Sequence, residues 1–300
     1  MARLRHAYQR LPNSIRRAIT VRRLRRWLRA TAYIRWHNAR VVRHAAAVIF
    51  YPMRPEPKMQ AAWLVRALRL RIGLEPVPGQ PTIAWDTGTY FADAARGRLP
   101  PDAINGRCLD VSKTCVDATW EAVAGYGIAI EPSGNRGPMV VKSEENGAHD
   151  GRLVSGPARK RRGYVYQRFI DTRHDGRIYG TRPVIIGDEM PMVLDFWCAE
   201  ADLFRGASHC SVRSPSEVYT RTERDQIMEF AHRIGMEFGE LEVLRDRDSG
   251  LIYVIDANRT SFRPALLSRA DLRRSYRQMV PAFRRLLESR RIRRDLSSVG

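Results

Sequence analysis

Residues 238–258 constrain the fold more than any other stretch, because two apolar, β-branched runs flank the polar segment Asp246-Arg247-Asp248-Ser249-Gly250. Leu241, Val243 and Leu244 on one side and Leu251, Ile252, Val254 and Ile255 on the other spell two strands, joined by turn residues that include a glycine tolerant of positive φ. The reading is a β-hairpin. Its acid content is unusual: Glu240 and Glu242 lie two apart and share one face of the first strand, as Asp256 and Asn258 do on the second. Four oxygen-bearing side chains therefore converge. Acids facing each other across paired strands destabilise a sheet unless something positive sits between them, and hard carboxylate and amide oxygens suit Mg²⁺. A solvated hairpin face, with Asn258 capping a turn, is the competing reading for the hairpin taken by itself.

Charge narrows the rest. The 300-residue chain carries +20, and residues 1–50 hold thirteen Arg with no Asp, Glu or Lys. Ile15, Ile19, Leu24, Trp27, Leu28 and Tyr33 recur among those arginines at helical spacing, so residues 13–36 read as a basic amphipathic helix. Three roles compete for it: packing on the protein with solvated charges, lying on an anionic membrane surface, and, ranked last, binding nucleic acid, for which no accompanying module is present. Of 52 basic residues only Lys58, Lys113, Lys142 and Lys160 are lysine. A lysine in so arginine-rich a chain marks a place where a compact ammonium suits and a guanidinium fork does not, as beside a phosphate oxygen. The four cysteines form no CxxC or zinc-like pairing, which makes a reducing compartment the default. No apolar run is long enough to span a bilayer, and arginine recurs through the region where a secretory signal would be apolar. The expected location is the cytoplasm, with peripheral contact at the inner face of an anionic membrane through residues 1–50 as an added alternative.

Along the chain, a second helix is expected over residues 59–72 and a short strand over 82–85. Ser112 can cap a helix reaching about Val123, which puts Lys113 in a first turn that favours anions, although by itself it reads as a surface lysine. Residues 138–142 form a strand that delivers Lys142 to its end, followed by a loop, 143–152, containing Gly147 and Gly151. Strands follow at 163–170, 177–186 and 191–197. Arg205, His209 and Arg213 fall in a polar segment suited equally to acceptor recognition and to the surface. Thr220-x-x-Glu223 is a capping box opening a helix to about Met236, and residues 269–291 form a closing helix that Pro281 kinks or divides. No GxxxxGK[ST] and no GxGxxG occurs.

Taken in order, Ser112-Lys113, Val140-Val141-Lys142 with its glycine-bearing loop, Tyr166-Gln167-Arg168-Phe169-Ile170, Arg182 on a strand, Glu242, and Asp256-Ala257-Asn258 resemble the ATP-grasp family across residues 105–260. The resemblance implies an α+β ATP-grasp fold, two α+β subdomains with antiparallel sheets gripping a nucleotide between them, plus a basic helical N-terminal extension. The division it implies is an Arg-rich helical region, 1–75, and an ATP-grasp-like domain, 76–300, made of a leading subdomain (76–135), a lid (136–170) and a metal-binding subdomain (171–300). By the same resemblance Lys113 and Lys142 hold phosphates, the loop with Gly147 and Gly151 closes over them, and Gln167, Arg168, Phe169 and Ile170 form the adenine-facing hinge. Arg182, with Lys142, stabilises the transferring phosphoryl group, and Glu242, Asp256 and Asn258 bind two Mg²⁺. The implied activity is that of an ATP-dependent carboxylate-amine ligase. A carboxylate is phosphorylated to an acyl phosphate, which an amine or another nucleophile then attacks, the substrates being small molecules or peptides. Alternatives are a non-catalytic nucleotide- or partner-binding module on the same scaffold and an ATP-dependent small-molecule kinase. Three departures from the family pattern stand out: Asp256 where Glu is usual, Glu242 (or Glu240, if a bulge shifts the register) where Asp is usual, and Arg168 where an acid often sits.

Overall fold

Five antiparallel strands make the largest sheet, in the order β10-β9-β8-β11-β12: β8 (Arg177–Ile186), β9 (Glu189–Ala199), β10 (His209–Arg213), β11 (Phe238–Arg245) and β12 (Ile252–Asn258), with β7 (Arg173–His174) paired to the start of β8. The computed structural model describes residues 13–297 apart from positions 44, 149, 204, 205 and 263. Residues 1–12 of the basic segment and Arg205 thus lie outside the described residues. Alternation along β8 sends Val184 and Ile186 into one hydrophobic cluster and Ile185 into another, so the sheet is buried on both faces.

One face is covered by the N-terminal layer. Here β1 (Ala47–Pro52), β2 (Arg71–Gly73) and β3 (Thr82–Trp85) form a parallel sheet in the order β2-β1-β3, flanked by α1 (Asn13–Asn38) and α2 (Gln60–Ala67). Phe50 and Trp85 meet edge to face at 5.3 Å, and Phe238 packs against Trp85 and Phe283, which joins this layer to the large sheet and to the closing helix. The basic helix forms where expected, but the apolar face read from its spacing is not its buried side: Leu24, Trp27 and Leu28 are exposed, because the helix meets the layer through a narrow strip of small and later residues. Ala30 and Ile34 are buried beneath it, and Asn38 both accepts from the Ile72 N–H and donates to its carbonyl, each at 2.9 Å.

The helix expected over 59–72 is shorter. It stops at Leu68, Arg69 takes a left-handed φ of 55°, and Arg71–Gly73 pairs with β1. A three-residue strand is too brief to leave a period in the sequence, so the region 1–75 contains two strands beside its helices.

The opposite face carries α4 (Lys113–Ala124), capped by Ser112, and α6 (Arg221–Ile234), whose Thr220 and Glu223 form the reciprocal box. Short helices α3 (Asp93–Arg96) and α5 (Pro215–Val218) lie in connections, and a third, smaller antiparallel sheet, β5-β4-β6, is built from β4 (Pro138–Ser143), β5 (Arg152–Ser155) and β6 (Tyr164–Arg168). The closing helix, α7 (Arg269–Ser297), contains Pro281 without being divided by it. The polar segment expected around His209 and Arg213 is instead the edge strand β10: Cys210 and Val212 are buried while the intervening residues face outward, an alternation masked by its polar members. No described helix is long and apolar enough to cross a membrane.

Candidate functional site

The hairpin register sets the acids directly opposite one another, Glu240 against Asn258 and Glu242 against Asp256, and a bulge follows between Glu242 and Val243. Asp256 is a buried acid among both signs of charge. Its Oδ1 is buried without a hydrogen-bond partner, and burial raises its carboxyl, an effect that Lys113 and Lys142 oppose and Glu242 reinforces. Glu242 accepts from the Arg182 guanidinium at 3.2 Å. Burial works against the Arg182 charge, but Glu242, Glu240 and Asp256 more than offset it, and the guanidinium also stacks 4.9 Å over Phe196. Asn258 Oδ1 accepts the Thr260 N–H at 2.9 Å, so it does cap a turn, yet an amide oxygen has a second lone pair.

Glu240 behaves differently from its neighbour. It is buried against α2, where the Gln60 amide donates to it, and burial lifts its carboxyl to about 7 despite Arg182 and Gln60. That partner explains why the two glutamates, equal in the sequence, are unequal in the fold: Glu242 takes the Arg182 hydrogen bond, while the more deeply buried Glu240 takes that of Gln60.

The two lysines reach this acid face from elsewhere. Lys142, delivered by β4, donates to the Ile255 carbonyl at 3.1 Å; burial lowers its ammonium pKa, with Asp256 as the main counterweight. Lys113, in the first turn of α4, is itself buried and donates to the Glu145 carbonyl at 3.1 Å, so it is no surface lysine. The loop after β4 is moored at three points. Glu144 accepts from the N–H of Thr114 at 3.2 Å and from its hydroxyl, Asn146 N–H donates to Thr89 Oγ1 at 2.8 Å, and Ser143 N–H donates to Asp150 at 3.1 Å. A carboxylate thus sits on the amide-rich end of α4, where the helix favours negative charge. Gly147, at φ 70°, supplies the left-handed residue of this loop.

At the other wall, Gln167 donates to both oxygens of Asp117 at 2.8 Å, and the β4–β6 ladder ends at Arg168, leaving Phe169 and Ile170 beyond it. Asp117 lies one helical turn after Lys113 on the same face of α4, a spacing that could have revealed it in the sequence. Arg259, also missed, is buried beside Asn258 and holds the carbonyls of Asp86 at 3.0 Å and Gly88 at 2.8 Å, which fixes the loop after β3.

Lys113, Lys142, Gly147, Gly151, Gln167, Arg168, Phe169, Ile170, Arg182, Glu242, Asp256 and Asn258 all line one cleft of about 1490 Å³. Glu240 lines it as well, and so do Arg25, Arg26 and Arg29 of α1. Among the described residues no three His, Cys, Asp or Glu side chains are gathered closely enough to hold an ion unaided. Any cation here would therefore draw on Asn258, solvent or a phosphate besides Glu242 and Asp256, a donor set that suits Mg²⁺.

No protein-family model matches the sequence, and no curated protein matches it either. Among solved structures, the chain is similar to ATP-grasp ligase PsnB complexed with the precursor peptide PsnA2 and AMPPNP, at 12% identity over 73% of this chain and 89% of that one, TM-score 0.46. It is similar to the L-amino acid ligase from Bacillus licheniformis at 14% identity over 73% and 68% of the two chains, TM-score 0.44. A structure of PsnB complexed with minimal precursor matches at 17% identity over 51% of this chain and 52% of that one, about half its length, with a TM-score of 0.37. The likeness to ATP-grasp ligases is one of fold, α/β with antiparallel sheets.

Proposed function

We propose that the chain is an ATP- and Mg²⁺-dependent ligase that activates a carboxylate as an acyl phosphate and passes it to an amine or another nucleophile. The observation that carries this reading is the meeting, in one cleft, of two ammonium groups from β4 and α4 with the acid face of the β11–β12 hairpin. A buried carboxylate oxygen without a partner, on Asp256, beside a partly desolvated Lys142, is an arrangement in want of a ligand bearing both charges. Magnesium-bound ATP would supply the phosphoryl group and neutralise the facing acids.

In this reading Lys113 and Lys142 hold phosphate oxygens, and the moored loop with Gly147 and Gly151 shields them from water. Gln167 to Ile170 form the wall beside the base. Glu242, Asp256 and Asn258 hold the metal, with Arg182 released from Glu242 to face the charge that spreads over the phosphoryl oxygens. Phosphoryl transfer asks mainly for positioning and charge neutralisation, and these groups supply both. Release of ADP across a panel of carboxylate and amine acceptors, with and without Mg²⁺, tests the activity. Binding of AMPPNP by calorimetry tests the site: a Lys142→Ala, Asp256→Ala double variant is expected to lose Mg²⁺-dependent binding, and wild-type affinity in that variant would overturn the assignment.

A further inference from the structure

The side of α1 turned away from the protein is apolar along its middle. Val21, Leu24 and Leu28 are 45%, 54% and 51% exposed, and at the pitch of an α-helix they fall, with exposed Ala32, within about 80° of one another. Ala30 and Ile34, which seat the helix on the N-terminal layer, point the opposite way. The helix thus carries two apolar stripes, and among the described residues only one of them is covered. Cations surround the other. Exposed Arg25 and Arg29 border it on one flank, and exposed Arg35 continues its line two turns beyond Leu28. Trp36 and Trp27, both exposed, stand on opposite flanks, with Arg40 stacked 4.2 Å over the first ring and Arg54 4.8 Å over the second. No acid precedes Glu56 in the sequence, and Glu56 accepts from Arg26 at 2.7 Å.

Covers differ in how much of this pattern they meet. A nucleic acid would satisfy the guanidinium groups but gains nothing from valine and leucine. A second copy laid stripe to stripe would set arginines against arginines, a costly juxtaposition of like charge. Residues 1–12 bring three further arginines and no acid, so they would repeat that conflict. An anionic lipid surface meets both halves: aliphatic and indole side chains enter the boundary between headgroups and acyl chains, while the arginines remain among the phosphates. We propose that α1 docks on an anionic lipid surface through Val21, Leu24 and Leu28, with Arg25, Arg29 and Arg35 at headgroup level. The contact is peripheral, since no described helix is long and apolar enough to cross a bilayer. Val21, Arg25 and Arg29 also edge the cleft, so docking brings its mouth to the lipid. Neither nucleotide nor metal is needed, which keeps the docking independent of the ligase reading.

Co-sedimentation of the full chain with sucrose-loaded vesicles, of phosphatidylcholine alone or with about a third phosphatidylglycerol, tests this at near-physiological salt. Partitioning into the anionic vesicles should exceed that into the neutral ones by about tenfold or more. Leu24→Gln, Leu28→Gln should lower it about tenfold, because two aliphatic side chains no longer enter the lipid. The same exchange at exposed leucines away from α1, Leu153→Gln, Leu251→Gln, should change it by less than about twofold. Both variants should melt with the wild type by circular dichroism, since the exchanged side chains are exposed. Equal partitioning into the two kinds of vesicle, full partitioning by the Leu24→Gln, Leu28→Gln variant, or an equal loss in the Leu153→Gln, Leu251→Gln variant would overturn the proposal. So would a wild-type dimer, in the absence of lipid, that the α1 variant splits, or an oligothymidylate that binds more tightly than the vesicles and is lost in that variant.

Discussion

Asp117, bound to the cleft residue Gln167, carries a pH signature that can be tested. Burial raises its carboxyl to about 6, with the Gln167 amide, Lys142 and Lys113 acting against that rise and Glu144 with it. The folded chain thus keeps a proton that the unfolded chain has released between about pH 4 and 6, so folding stability falls as pH rises through that window and stays at the lower level above it. Asp117→Asn should flatten that slope, recovering on the order of 2 kcal/mol at pH 7.5 relative to pH 4.5 when urea unfolding is compared at the two values. Arg182 makes a different prediction. Arg182→Ala should leave AMPPNP affinity within about threefold while lowering kcat for ADP release by about a hundredfold or more, and Arg182→Lys should not restore it, because a lysine loses the stack on Phe196 and the planar fork. Much at this scale was legible beforehand. Lys113 and Lys142 stood out because lysine is scarce, and the hairpin acids because period-two spacing is local. Glu240 was not separable from Glu242, since what distinguishes them is Gln60, a partner 180 residues away.

Helices and strands were readable in proportion to how much of their signal is local. The cap at Thr220 and the turn at 246–250 are written in adjacent residues, whereas β2 and β10 owe their existence to neighbours: one pairs with β1, the other with β9. The boundaries of α6 can be tested on both sides. Thr220→Ala removes one half of the reciprocal box and should cost about 1 kcal/mol in urea unfolding. Gly235 ends the helix at φ 76°, and an added Cβ would meet the Arg107 carbonyl carbon at 2.6 Å, so Gly235→Ala should cost more than the cap, about 2 kcal/mol or above. The loop between β4 and β5 depends on its moorings. Glu144→Ala should raise amide exchange across residues 143–151 by about tenfold, with little change in global unfolding, and unchanged protection there would show that the carboxylate does not hold the loop.

For the whole molecule, one hydrophobic cluster draws Phe50, Leu64, Ile83 and Trp85 from the N-terminal layer together with Val184, Leu194, Phe238 and Phe283 from the large sheet and α7. A chain trimmed to residues 76–300, the division expected for an ATP-grasp-like domain, would bare the large sheet's side of that cluster. It should bind a hydrophobic dye and precipitate, and the full chain under the same conditions should do neither. The full chain should gain thermal stability from magnesium and AMPPNP together, about 2.7 kcal/mol at a hundredfold excess over Kd, and neither alone should give that gain. Sequence patterns could not disclose this interdependence, because a core shared by residues more than a hundred positions apart has no period to read.

The Gln60–Glu240 hydrogen bond, with Ser261 completing the other side of the Gln60 amide, sews the first layer to the ribbon that bears the acids. Anyone grafting this ribbon into another scaffold, or shuffling leading segments between chains in search of new acceptors, must therefore carry both halves of the seam. A chimera joined between residues 61 and 240 that replaces the glutamine leaves a buried carboxylate without the amide that donates to it, and its first failure would be in folding, before any change of substrate could be seen.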